Sequence, residues 1–409
     1  MSSSRHGKQT DSAGMYENTP SSGTSRSLSW PNGSIWNAGS TNDLVPPKDP
    51  ADLIQELLRH AQILACMRWL GEFQILAYIP SDQRVGYADL ADLTGVPEVQ
   101  IRRVVRTTAS IGLLCEPQPS YVAHTPLSIQ FLKRPSLFDA LMFATDTVIP
   151  TSQSMAEATR QEVEHSEAIK SPFQIATHFS SALPVACKAD PRLLRRSCAF
   201  QRLGSLSKAK ALTKLLSPID WEGLGQATVV EINAGSTVTA RALSGRNHSV
   251  RFILQLSPDT ARKVESNNLI IESRTLGAPQ RQENAALYLL HLPDPFSFSS
   301  SADHAEASKA ELRAHLDVLR ANEKATLILI TEILPESGTA SGPVESTACM
   351  KDLLLMQMGH REALDVGRLG ALLESVREDA DHLTIVNKFM APDYPLLAFE
   401  LRTRPPSAG

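Results

Sequence analysis

Residues 229–243 read V-V-E-I-N-A-G-S-T-V-T-A-R-A-L: a β-branched run, a short polar loop and a helix-forming stretch. A strand that turns through a glycine-containing loop into a helix is where α/β domains cradle nucleotide-type cofactors. This loop, Asn233-Ala234-Gly235-Ser236-Thr237, has a single glycine. A second concentration of functional side chains is Arg102, Arg103 and Arg106, which share one side of a helix. Such a trio grips phosphates or guanine edges, meets an acidic partner, or is simply solvated, and the spacing leaves all three open. The histidines form no H-E-x-x-H or comparable arrangement, so no metal site is expected. No G-x-x-x-x-G-K-[ST] loop or G-x-S-x-G elbow is present. Cys66, Cys115, Cys187, Cys198 and Cys349 are scattered without a C-x-x-C pair, as reduced thiols of an intracellular protein would be.

These residues sit in a chain of 409, long enough for two domains with cores of their own. Its 42% apolar content and net charge of −4 describe a soluble globular protein. A weakly acidic chain is not coated for non-specific nucleic-acid binding, so any DNA contact must come from a local patch. No stretch reaches the ~20 apolar residues of a membrane span. The N-terminus lacks the basic-then-apolar pattern of a secretory leader.

Residues 1–48 are rich in Ser, Gly, Asn, Thr and Pro and are predicted to be disordered, with Trp30 and Trp36 either part of a passive tail or anchors for a partner. A helix is predicted from residue 49 to Pro80. Leu53, Leu57, Leu64, Met67, Trp69, Leu70 and Phe73 give it an apolar surface broad enough for a dimer seam. A short helix over Tyr87–Thr94, a Gly95-Val96-Pro97 turn, a second helix over Glu98–Leu113 and a β-wing then spell a winged helix-turn-helix. Helices continue to about residue 215, broken by a polar stretch at 157–172 that reads as a mobile loop. The basic run at 192–196 is either a solvated helical face or a nuclear import signal. From there strands alternate with helices: 227–232, 250–256, 285–292, 325–333, 383–389 and 396–402. Such alternation predicts an α/β fold with a doubly wound, mostly parallel sheet. The last two strands are joined by too few residues for a crossover and should form an antiparallel hairpin.

The segments D-P-R-L-L-R-R-S-C-A-F-Q-R-L, I-D-W-E-G-L-G-Q-A-T-V-V-E-I-N-A-G, T-L-I-L-I-T-E-I-L-P-E and D-L-L-L-M-Q-M-G-H-R-E-A-L resemble the O-methyltransferases of fungi and plants. Those proteins join an N-terminal winged-helix dimerisation domain to a C-terminal S-adenosylmethionine-binding domain, and the likeness runs over about residues 51–402. Within that superfamily residues 62–128 are most similar to the aflatoxin-pathway type of transcriptional co-activator of fungal polyketide gene clusters. The resemblance implies a division into a tail (1–48), a winged-helix dimerisation domain (49–135), a helical connector (136–215), a methyltransferase-like domain (216–403) and a tail (404–409). It also implies a homodimer acting in the nucleus, with a share in the cytoplasm, beside a zinc-cluster transcription factor. Contacts to DNA or partner would then fall on Gln100, Arg102, Arg103 and Arg106 of the helix-turn-helix Ala88–Thr107.

Active members of the superfamily carry D-x-G-G-G-x-G at the cofactor loop, where glycines let the backbone close on the ligand. By resemblance Glu231 matches the acid and Gly235 one glycine, while Asn233, Ala234 and Thr237 replace the rest. The acid that holds the ribose is replaced by Leu256, which leaves hydroxyls unpaired at a cost on the order of a few kcal/mol. Asp259 substitutes only if its loop shifts. Catalysis needs a histidine base oriented by two glutamates. Glu332 and Glu362 match the glutamates, but Pro295 stands at the base position, and His291 falls nearer the strand end. The expectation is a pseudo-O-methyltransferase without cofactor, in which His291, Glu332, Glu362, Glu231, Gly235 and Asp259 are vestigial. The alternatives are an active S-adenosylmethionine-dependent polyketide O-methyltransferase and a direct DNA binder.

Overall fold

The computed structural model describes residues 49–164, 170–177, 179–264, 266, 269–359, 362–376 and 382–404. The tail expected at 1–48, with Trp30 and Trp36, and all but Arg404 of the tail expected at 404–409 lie outside the described residues; Arg404 belongs to a strand. Helix α1 (Pro50–Glu72) starts where Asp49 accepts the Ala51 amide at 2.9 Å and Pro50 occupies a position that needs no amide partner. Gly71 lets α1 close on a neighbouring helix, because a Cβ there would collide with the Met142 sulfur. Burial is confined to the second half of α1. Leu53, Ile54, Leu57 and Leu58 in its first turns stay exposed on this single chain.

Next come α2 (Ile75–Tyr78), β1 (Arg84–Gly86), α3 (Tyr87–Thr94), α4 (Glu98–Ala109), β2 (Leu114–Cys115), β3 (Tyr121–His124) and α5 (Pro126–Lys133). They pack Leu70, Ile75, Tyr87, Leu90, Ile101, Val105, Leu113 and Val122 into one core. Gly95 makes the turn between α3 and α4 at φ 69°, its amide bonding the Ala91 carbonyl, a backbone state that glycine takes without strain. Helix α4 ends at Ala109, four residues before the expected Leu113, because Gly112 at φ 72° reverses the chain into the wing. The wing is a three-stranded antiparallel sheet in the order β1-β3-β2, with β1 a strand the sequence pattern does not reveal.

Helices α6 (Pro135–Phe143), α7 (Ile149–Gln153), α8 (Met155–Glu164), α9 (Pro172–Thr177), α10 (Leu183–Ala189), α11 (Pro191–Gln201) and α12 (Ser205–Leu216) follow. Helix α8 corrects the loop expected at 157–172. Its exposed face is stabilised by Arg160 and Gln161 bonding back to Glu157, one turn earlier, and residues 165–169 lie outside the described ones. Two arginines of the basic run are used internally, while Arg192 is exposed. Arg195 makes a two-pronged pair with Asp139 at 2.9 and 3.0 Å, and Arg196 meets Asp146 at 2.8 Å, tying α11 to α6 and the turn after it.

The remaining elements are β4 (Thr228–Ile232), α13 (Val238–Ser244), β5 (Arg251–Leu256), α14 (Pro258–Ala261), β6 (Ile270–Ser273), β7 (Leu287–His291), α15 (Ser301–Ala321), β8 (Thr326–Glu332), α16 (Gly342–Gly359), α17 (Val366–Ser375), β9 (His382–Met390) and β10 (Leu396–Arg404). The strands form one sheet in the order β6-β5-β4-β7-β8-β10-β9. It is parallel from β6 to β8 and antiparallel through β10 and β9, with a bulge between Glu400 and Leu401. Central strands are mostly apolar because both faces are covered. Val229, Leu254 and Leu287 enter one core, and Val230, Ile253 and Tyr288 enter the other. Strand β6 is the one the sequence reading leaves out; it is four residues long, half-exposed and at an edge.

Candidate functional site

The C-terminal ends of β4, β5, β7 and β8 form the edge at which doubly wound sheets hold ligands. At the end of β4 the chain turns sharply at Asn233, φ 57°, whose amide bonds the Gln255 carbonyl at 2.9 Å. Gly235 does not supply this turn. Its φ is ordinary, and a Cβ there would meet nothing within 4 Å, so the loop no longer depends on glycine. Thr237 starts α13 without a side-chain cap.

Glu231 and His291 find each other across β4 and β7. Their side chains are 1% and 9% exposed, with Nε2 3.0 Å from Oε1. Asn233 Nδ2 bonds the His291 carbonyl at 3.4 Å and closes the group. The second Glu231 oxygen, Oε2, is buried with no hydrogen-bond partner. His291 thus lies at the strand end and turns its imidazole inward to the acid of the loop. Pro295 opens a single tight turn, Pro295–Ser297.

The other carried-over positions are apart from this pair. Leu256 is buried core at the end of β5. The Asp259 carboxylate is 81% exposed and pairs with Arg262 at 2.6 Å on the short helix α14, so it faces solvent. Glu362 is exposed and paired with Arg368. Glu332, the last residue of β8, is held by Lys208 at 3.0 Å and by Lys351, which also donates to the Tyr394 hydroxyl at 2.6 Å. Burial alone would raise the Glu332 pKa, but the two lysines outweigh it and hold the carboxyl below its ordinary value. Burial likewise opposes the charge of Lys351, and Glu332 with Tyr394 outweighs it, so that pKa is raised. Among the described residues neither glutamate bonds His291, whose imidazole is held by Glu231 instead. The lysines around Glu332 come from α12 and α16 and carry no local signal in sequence.

On the winged helix the three arginines differ. Arg102 pairs with Glu98 one turn earlier and lies over the Tyr87 ring, 5.6 Å from its centroid. Arg106 reaches Glu116 on the wing at 3.1 Å, and the same carboxylate accepts the Tyr87 hydroxyl at 2.5 Å. Burial first, and Glu116 second, push the Tyr87 phenol up. Arg103 and Gln100 face solvent, as do Leu93 on α3 and Val99 on α4. The helix-turn-helix therefore uses Arg106 to fasten itself to its own wing and Arg102 to hold α4 against α3.

Among the described residues no group of histidine, cysteine, aspartate and glutamate could hold a metal ion, and no helix is long and apolar enough to cross a membrane. No family model matches the chain. In fold it is similar to the mitomycin 7-O-methyltransferase MmcR, at TM-score 0.60 and 18% identity over 87% of this chain and 98% of that one. It is also similar to the riboflavin-derivative dimethyltransferase RosA of Streptomyces davawensis, at TM-score 0.66 and 15% identity over 87% and 99%. Nearer in sequence are three fungal regulators. The dothistromin biosynthesis regulatory protein aflJ of Dothistroma septosporum is 34% identical over 88% of this chain and 86% of its own length. The trypacidin cluster transcriptional coactivator tpcD of Aspergillus fumigatus is 37% identical over 87% and 82%. The aflatoxin cluster transcriptional coactivator aflS of Aspergillus flavus is 32% identical over 90% and 88%. With likeness of that degree along nearly its whole length, the chain belongs to the family of transcriptional coactivators of fungal secondary-metabolite gene clusters, built on an O-methyltransferase-like fold.

Proposed function

We propose that this protein is a nuclear coactivator of an aromatic polyketide gene cluster, working with a zinc-cluster transcription factor and carrying out no methyl transfer. The reading is supported by the names of its relatives at 32–37% identity. The observation that carries its non-catalytic half is the Glu231–His291 hydrogen bond. One contact withdraws both the acid of the cofactor loop and the histidine at the strand end. Leu256 in place of a ribose-binding acid fits the same reading.

Two copies are proposed to meet through α1, where Leu53, Ile54, Leu57 and Leu58 form an exposed apolar stripe. Replacing Ile54 and Leu57 with Glu should then yield a monomer in sedimentation analysis. Deleting the gene should silence its biosynthetic neighbours, and a fluorescent fusion should collect in the nucleus. Calorimetric titration with S-adenosylmethionine should give no heat up to millimolar ligand. Micromolar binding, together with intact neighbouring transcripts and one unmethylated intermediate accumulating, would return the chain to the active methyltransferases.

A further inference from the structure

Glu332, Lys208, Lys351 and Tyr394 join the end of β8, α12, α16 and the β9–β10 hairpin at one point. Two ammonium groups share one carboxylate there, so the cluster carries one positive charge more than it neutralises. The side chains are 34%, 36% and 30% exposed for Lys208, Lys351 and Glu332, which leaves that charge only partly hydrated. A structural pair needs one lysine. The second adds desolvation and the ordering of a long side chain, for little return while the same carboxylate is shared. Lys351 also lies over the Tyr394 ring, 4.6 Å from its centroid, and donates to its oxygen. The phenol's own proton is given to no acceptor among the described residues. Gly204, in the turn before α12, admits this arrangement, since a Cβ there would stand 3.2 Å from the Tyr394 hydroxyl.

An unmatched cation and an unused hydroxyl, converging where doubly wound sheets take ligands, complement one chemical class. We infer that this cluster is a receptor site for a small organic anion with a carboxylate or phenolate head, bound by Lys208, Lys351 and the Tyr394 hydroxyl. Glu332 holds the lysines in place and limits their charge. The site does not depend on the methyl-donor crevice over β4, nor on the coactivator reading.

The test is calorimetry on the full chain with 2-hydroxybenzoate and its neutral counterpart 2-hydroxybenzamide. The anion should bind saturably, and the amide at least about tenfold more weakly, as loss of one charge-assisted bond dictates. Lys351→Met should weaken the anion about tenfold, with Lys351→Arg recovering most of it. Lys208→Met serves the same purpose if circular dichroism shows Lys351→Met to be unfolded. Glu332→Gln separates a ligand site from a mere structural cluster: with the internal acid gone, the anion should bind more tightly. No saturable heat with the anion, equal binding of the amide, indifference to both lysine variants, or weaker binding by Glu332→Gln would each overturn the assignment.

Discussion

The two halves of the sheet's C-terminal edge differ in how their polar groups are spent. Over β4, β5 and β7 most are matched inside the protein or replaced by core, with Glu231 Oε2 the exception. His291 takes Glu231, Leu256 is buried, and Asp259 turns outward to Arg262. Over β8 the count does not close, because Lys208 and Lys351 meet a single Glu332. The winged helix resembles the first half, since Glu98 and Glu116 hold Arg102 and Arg106. A self-satisfied group has nothing left with which to recognise another molecule. Recognition is therefore to be sought where the matching stops.

The contrast breaks most sharply at Leu256. Leu256→Asp places an uncompensated charge in core, and urea unfolding should register a loss of about 3–5 kcal/mol with no S-adenosylmethionine binding gained. A stable variant that binds the cofactor would show the first half still open. His291→Ala strands the Glu231 carboxylate and should cost about 1–3 kcal/mol, part of it recovered by adding Glu231→Gln. An unchanged midpoint would mean the pair does not form in solution.

The β8 cluster should respond to pH at both extremes. Glu332 has a lowered folded pKa, so its contribution is present above the unfolded value of 4.5 and is lost as pH falls through the folded one. Lys351 has a raised folded pKa, so its contribution is complete below 10.5 and is lost as pH rises through the folded value. Thermal unfolding of Lys351→Met should lack the alkaline loss, an effect held to about 1 kcal/mol by solvent screening. Persistence of that loss would move its cause elsewhere. The smallest effects belong to the winged helix. Arg106→Ala should cost up to ~1 kcal/mol, and Arg103→Ala under ~0.5 kcal/mol. If Arg103→Ala nonetheless abolishes capture of the partner factor or of promoter DNA, α4 joins the open half of the comparison.

The sheet was largely legible because strands covered on both faces leave apolar runs, as in V-R-F-I-L-Q-L and A-T-L-I-L-I-T-E-I. Strands β1 and β6 left no such run, being three and four residues long and partly exposed. The polar face of α8 looks like a loop until its contacts one turn apart are seen. The departures from the methyltransferase pattern at Asn233, Leu256 and Pro295 were readable one by one. The bond between Glu231 and His291 was not, since it joins residues sixty apart and depends on β4 lying next to β7. Nor was the separation of Arg102 from Arg103, because helical spacing groups them while Tyr87 and Glu98 draw only one inward.

The hairpin at the far side of the sheet leaves an open strand edge. Strand β9 offers a row of backbone donors and acceptors unpaired among the described residues, beside exposed Ile385 and Val386, the kind of rim that recruits foreign strands and seeds aggregation. The bulge at Glu400 and Leu401 twists that rim, and exposed Lys388 sets a charge along it. Lys388→Val should for this reason lower the concentration at which the protein stays dispersed, even though it touches neither half of the ligand edge.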